Sequence, residues 1–170
     1  MKIEIDDKRI VGFEVRQSAI GYAVFEGSKR LLDWGATSRS PLAGAVLRSK
    51  KRFLSILRLH APEVVVVRRP HNINDTSALI EYIKLESCRL SIPFILITPD
   101  EIKEAFAIFR VRSNADRAEV LTRIFPELLI RLPPRRRVWQ SEAHSMIVFG
   151  AVTAGFAFWQ RKRNEPYAEM

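Results

Sequence analysis

Arginine is the residue type with the most chemistry to offer in this sequence. The 170 residues include 20 arginines and 8 lysines against 19 Asp plus Glu, for a formal net charge of +9 and an isoelectric point near 10.2. A guanidinium grips a phosphate through two parallel hydrogen bonds, and a basic domain of this size suits polyanions, nucleic acid first. A genome rich in arginine codons would give the same excess, so charge alone divides evenly between the two readings. Arg110, Arg112 and Arg117 flank a helix start at Asn114, and Arg131-Leu-Pro-Pro-Arg135-Arg136-Arg137 forms a stiff basic loop. Trp139 beside that loop could stack on a base, although the plainer expectation is packing against a sheet edge. Arg48, Lys50, Lys51, Arg52 and Arg58 read as the solvated side of a helix.

Other chemistries find little support. One cysteine, Cys88, permits no internal disulfide and no thiolate zinc knuckle. It is expected to be a small buried residue, compatible with a reducing, cytoplasmic setting. There is no Gly-rich phosphate loop, no Gly-x-Ser-x-Gly elbow and no His-Glu-x-x-His. His60 and His71 fall in loop-like stretches without ligand spacing. The N-terminus, with Glu4, Asp6 and Asp7, lacks an apolar signal core. The longest apolar run, Met146 to Trp159, is interrupted by Thr153 and falls short of the ~18–20 residues of a membrane span. It reads as a core helix.

The elements that would position these groups follow from periodicity. Residues 8–16, 19–26 and 30–37 alternate as strands joined by short turns, which predicts an antiparallel meander. Ser40-Pro41 opens a helix to about Leu59, with Leu42, Val46, Phe53 and Leu57 as its apolar face. Residues 63–68 (EVVVVR) form a β-branched run of the kind covered on both faces. A helix capped by Asp75 or Thr76 runs to about Leu90, and a strand covers 92–97. Thr98-Pro99-Asp100-Glu101 starts a helix to Phe109, another begins at Asn114, and the last spans about Ser141 to Trp159. The tail from Arg161 is expected to fray. The order β-β-β-α-β-α-β-α-α-α predicts a single α/β domain over 1–170, with a five-stranded mixed sheet and helices on both faces. No repeat or linker divides it.

At this point the residues resemble a family. Ile10-Val11-Gly12-Phe13-Glu14, followed by Gly21-Tyr22-Ala23-Val24, resembles the opening hairpin of the RuvC-type Holliday-junction resolvases, where Glu14 falls on an Asp. Asn74 to Leu79, Thr98 to Lys103 and Ser141 to Met146 are similar to three further segments of that family, in the same order. The resemblance spans about residues 9–160. It implies an RNase H-like fold, a DNA-binding homodimer formed through the helix at 76–90 or the first long helix, and hydrolysis by two Mg²⁺ or Mn²⁺ ions held by converging carboxylates.

The same comparison exposes a deficit. Arg68 or Arg69 stands where the family carries a strand-four Glu, while Ser141 and His144 face its two last-helix Asp positions. Glu142 is adjacent but, on a helix, turned by ~100°. The resemblance leaves Glu14, Glu142 and His144 as the available catalytic and metal-ligating set. Arg16, two residues past Glu14, shares its strand face, which suggests a guanidinium paired with Glu14 in place of a metal. Arg16, Arg68, Arg69, Arg110, Arg112, Arg117, Arg135, Arg136 and Arg137 are the candidate nucleic-acid contacts. Three readings stand side by side. They are a branched-DNA-binding module with impaired cleavage, a divergent metal-dependent endonuclease, and a structural or partner-binding domain.

Overall fold

Alternating apolar residues produce strands β1 (Arg9–Val15), β2 (Ile20–Glu26) and β3 (Arg30–Ala36), joined as antiparallel neighbours. The computed structural model describes residues 7–17, 19–37, 44–70, 77–137 and 139–165. Helix α1 (Ala45–His60) leads to β4 (Val64–Arg68), then α2 (Ser77–Arg89) to β5 (Phe94–Ile97). Both later strands run parallel to β1, giving the sheet order β3-β2-β1-β4-β5. Helices α3 (Pro99–Ala105), α4 (Asn114–Ile124) and α5 (Met146–Asn164) complete the chain. The expected five-stranded mixed sheet with helices on both faces is the one observed.

The period of two sorts the strands' side chains onto two cores. Val11, Phe13, Val15, Val65 and Val67 pack with Phe53, Ile56 and Leu57 of α1 and Leu79 and Ile83 of α2. Ile10, Ala23, Phe25, Val64 and Val66 face the opposite way, against α3, α4 and α5. Helix α5 lies directly on that face. A Cβ on Gly12 would sit 2.4 Å from the carbonyl oxygen of Ala151, so only glycine lets the helix backbone approach β1 this closely.

Several expectations shift. The caps placed at Ser40-Pro41 and at Asp75 or Thr76 lie outside the described residues, as does His71. In α1 the buried stripe is Ala45, Ser49, Phe53, Ile56 and Leu57, while Val46 is half exposed at its edge. Cys88 is exposed, because the buried positions of α2 fall at Leu79, Ile83 and Ser87, one residue per turn. The Thr-Pro helix stops at Ala105, and a 3-10 turn over Ala107–Phe109 takes the rest. A further 3-10 segment, Pro126–Arg131, precedes the basic loop. The last helix starts at Met146, not Ser141, and continues through the expected tail to Asn164. There Arg161 bridges Glu101 and Glu165.

Candidate nucleic-acid interface

Glu14 is the third even-numbered residue of β1, after Ile10 and Gly12. It lies two residues past Gly12 and so points toward α5, like Ile10. On the parallel neighbour β4, Val64, Val66 and Arg68 share that side. The β1–β4 ladder ends at Phe13 opposite Val67, which sets Arg68 beside Glu14 one step further on. Arg68 is only 8% exposed. Its Nη1 lies 3.5 Å from Glu14 Oε1, and its Nη2 donates to Asn114 Oδ1 at 3.1 Å. From the other side Arg16 Nη2 stands 3.6 Å from Glu14 Oε2 and donates to Glu142 Oε2 at 2.9 Å.

Asn114, the first residue of α4, ties the group together. Its Oδ1 also accepts from Arg117 Nη2 at 2.6 Å, and its Nδ2 donates to Glu142 Oε1 at 3.2 Å. The result is a ring of three guanidinium groups and two carboxylates about one amide. Glu142 reaches it from the segment before α5, outside any helix, so the ~100° turn expected of a helical neighbour does not apply. Burial pushes the Glu14 carboxyl above the usual carboxylate range, opposed by Arg68 and then by Arg16. Its Oε2 is buried without a hydrogen bond. Burial likewise lowers the Arg117 guanidinium, and Arg68 adds to that as a like charge.

Gly150 makes room for this arrangement. A Cβ there would lie 1.4 Å from Glu14 Oε2. The extra methylene of Glu, relative to Asp, therefore occupies space that a side chain on α5 would otherwise fill. Nothing in the residue order singles out Gly150 or Asn114 for this role. A glycine in an apolar helix that packs on a sheet is the only signal, and a weak one.

The remaining site residues of the sequence reading lie elsewhere. His144 sits in a turn, its Nε2 3.1 Å from the carbonyl oxygen of Thr37, and is drawn to β3 rather than into the ring. Arg69 is exposed, whereas Arg68 is the one of the two that turns inward to Glu14. Arg110 and Arg112 are exposed ahead of α4. Arg135 is held by Asp116 at 3.0 Å and Glu119 at 2.7 Å. Arg136 donates to the Gln140 carbonyl oxygen at 2.5 Å. Arg137 lies over the Trp139 ring at 5.4 Å. Trp139 is 76% exposed and does not pack against the sheet. His60, read as ordinary, ends α1 with its Nε2 2.9 Å from Asp33 Oδ2. Arg52 and Asp33 also meet at the Tyr22 hydroxyl.

Among solved structures, RuvC of Thermus thermophilus in complex with a Holliday junction substrate superposes with a TM-score of 0.64 at 17% identity, over 91% of this chain and 95% of that one. A second Thermus thermophilus RuvC structure gives 0.63 at 19% identity over the same shares. The resolvase of fowlpox virus, in complex with Holliday junction DNA, gives 0.54 at 12% identity, over 91% and 98%. The chain has the RNase H-like fold of RuvC. No family model matches the sequence, and no curated relative matches it.

Against that fold, the ring does not suit a divalent cation. A Mg²⁺ or Mn²⁺ site needs several oxygen ligands free to face the metal. Here the oxygens of Glu14 and Glu142 face guanidinium or amide groups. Among the described residues no cluster of three or more His, Cys, Asp and Glu is placed to hold a metal ion.

Proposed function

We propose that this is a RuvC-like nucleic-acid-binding protein that holds branched DNA by its phosphates and lacks metal-dependent cleavage. The observation that carries the reading is Arg68 on Glu14. A permanent protein cation stands on the same sheet face as the carboxylate, on the adjacent strand, at ion-pair distance. With three arginines to two carboxylates the ring is left with surplus positive charge, and the chain as a whole carries +9. Exposed Arg69, Arg110 and Arg112 add donors near α4. Contacts of this type set affinity and register and leave base sequence unread.

The reading extends to a homodimer, since a two-fold pair matches a two-fold junction. Val46, Leu47 and Leu59 on α1 and Leu85 on α2 are exposed apolar side chains available for it. An unpaired cysteine, Cys88, suits a reducing compartment such as the cytoplasm. No described helix is long and apolar enough to cross a membrane.

The test is a binding titration of a four-way DNA junction and a matched duplex at two salt concentrations, run beside cleavage assays in Mg²⁺ and in Mn²⁺. Junction binding is expected to weaken by about 100-fold between 50 and 200 mM salt if about four phosphates are contacted, with both DNAs intact. Cleavage that disappears in Glu14→Gln would overturn the reading in favour of an active nuclease. Absence of any DNA binding would leave a structural or partner-binding role.

A further inference from the structure

We propose that the cleft between α4 and the Arg131–Arg137 segment is a pocket for an unpaired nucleobase. The inference rests on the nucleic-acid reading above and adds the form of the ligand.

The cleft has a volume of about 770 Å³, within the roughly 300–1,000 Å³ typical of small-ligand sites. Ala115 and Ala118 of α4 form one wall, and Leu132, Pro133 and Pro134 form the other. An aromatic base has two apolar faces and suits such walls. Asn114 and Glu142 also line the cleft, and both belong to the arginine ring. Arg117 donates to Asn114 and Arg16 to Glu142, which ties the polar end of the cleft to the arginine ring. A phosphate held at Arg136 and Arg137, which also line the cleft, would present the base of its own nucleotide to the apolar walls.

The rim is cationic and fixed. Arg135 is anchored to Asp116 and Glu119, which pins the proline segment against α4. Arg136 is fastened to the Gln140 carbonyl oxygen, and the Arg137 backbone N–H donates to Gln140 Oε1 at 2.9 Å. Trp139, mostly exposed under the Arg137 guanidinium, offers a stacking surface to a neighbouring base. Charge on the rim, apolar walls within and a stacking ring beside them fit a single-stranded or extruded nucleotide. A continuous duplex keeps its bases in the stack and has nothing to place in the cleft.

The experiment measures three DNAs in one titration series. They are a duplex, a fully paired four-way junction, and the same junction with unpaired thymines at its centre. Stacking of a base on protein side chains suggests roughly tenfold tighter binding of the DNA with unpaired thymines. Ala115→Trp, which fills the cleft, should remove that preference. Because this substitution could disturb α4, the wild-type protein is also crosslinked to 4-thiothymine at the unpaired position. Adducts are expected between Leu132 and Ala143 or on α4. Paired and unpaired DNAs bound equally, or adducts mapping elsewhere, would overturn the cleft proposal alone. No binding to any of the three would overturn the nucleic-acid reading beneath it.

Discussion

Arg68→Met removes the cation beside Glu14 while keeping most of the side chain's bulk. Arg68 is almost fully buried and holds both Glu14 and Asn114. Breaking a buried ion pair by deleting one partner costs roughly 3–5 kcal/mol, because the other charge is left uncompensated. Glu14 has two partial escapes. Arg16 lies 3.6 Å from its other oxygen, and its carboxyl can take a proton. The expected loss at pH 8 is therefore at the lower end, about 3 kcal/mol, or roughly 6–12 °C in Tm for a chain of this length. Burial already raises the Glu14 pKa against the pull of Arg68, and without Arg68 it rises further. A carboxyl whose folded pKa lies above its unfolded value binds its proton more tightly in the native state. Its contribution is fully present below the unfolded value of about 4.3 and is lost as pH rises through the folded value. The penalty of Arg68→Met should thus be largest at pH 8 and shrink toward pH 5. Urea unfolding of both proteins at the two pH values measures it. Adding Glu14→Gln to the Arg68→Met protein should recover most of the loss at pH 8. Equal losses at both pH values, or no recovery, would refute the claim that Arg68 serves as Glu14's counter-charge.

Gly150→Ala forces Glu14 out of position and should cost about 1–3 kcal/mol in urea unfolding; Glu14→Ala in the same chain should relieve most of that cost. Arg112→Ala is expected to reduce the slope of log affinity against log salt by about 1 in a DNA titration. Arg135→Ala should change the slope little, because two carboxylates already occupy that guanidinium. About 10 mM Mg²⁺ or Mn²⁺ should leave Tm unchanged, whereas a cation site filled at a hundred times its Kd would stabilise the fold by about 2.7 kcal/mol, readily seen in a thermal-shift assay.

The parts of this molecule that repeat with a simple period were legible in its residues. Alternation placed β1 to β3, the EVVVVR run placed β4, and Thr98-Pro99 with acids at the next positions marked α3, whose capping box is present. Period two put Glu14 and Arg16 on one face, and the family resemblance left Arg68 or Arg69 as the strand-four cation; the structure brings Glu14, Arg16 and Arg68 together. What failed was local. Ser141 to Ser145 carries helix-compatible residues, yet the helix starts only where apolar contact with the sheet begins, at Met146. Glu142 was therefore assigned a helical direction it does not have, and His144 a place in the site when it binds the Thr37 carbonyl instead. Asn114 could be read as a helix start but not as a bridge between two arginines and a glutamate, because those partners come from β4, α4 itself and the segment before α5. Gly150 was invisible for a related reason. Its importance lies in the atom it lacks and in what Glu14, 136 positions earlier in the chain, does with the space.

A carboxylate on a central strand, under a helix, must be neutralised or balanced. A divalent cation can balance it, and such an ion also keeps coordination positions for water and phosphate oxygens, where it can lower the pKa of bound water. A guanidinium balances the same charge with N–H donors only, and it neither accepts a proton nor generates hydroxide. Arg68 reaches Glu14 from the neighbouring strand without any change in the sheet, since position 68 already faces α5. Arg16 covers the other carboxylate oxygen, and Asn114 fixes the spacing between Arg68 and Arg117. The RNase H-like fold accommodates this without change, and the positive charge beside Glu14 belongs to the protein itself. Position 68 therefore decides whether the Glu14 carboxylate faces a guanidinium or is left open to another cation. The charge reversal Arg68→Glu should weaken phosphate binding and place three carboxylates, Glu14, Glu142 and the new one, where a cation could gather them. A Tm that rises on adding Mn²⁺ to that variant, but not to the wild type, is the expected result; identical responses from the two proteins would count against position 68 as the determinant.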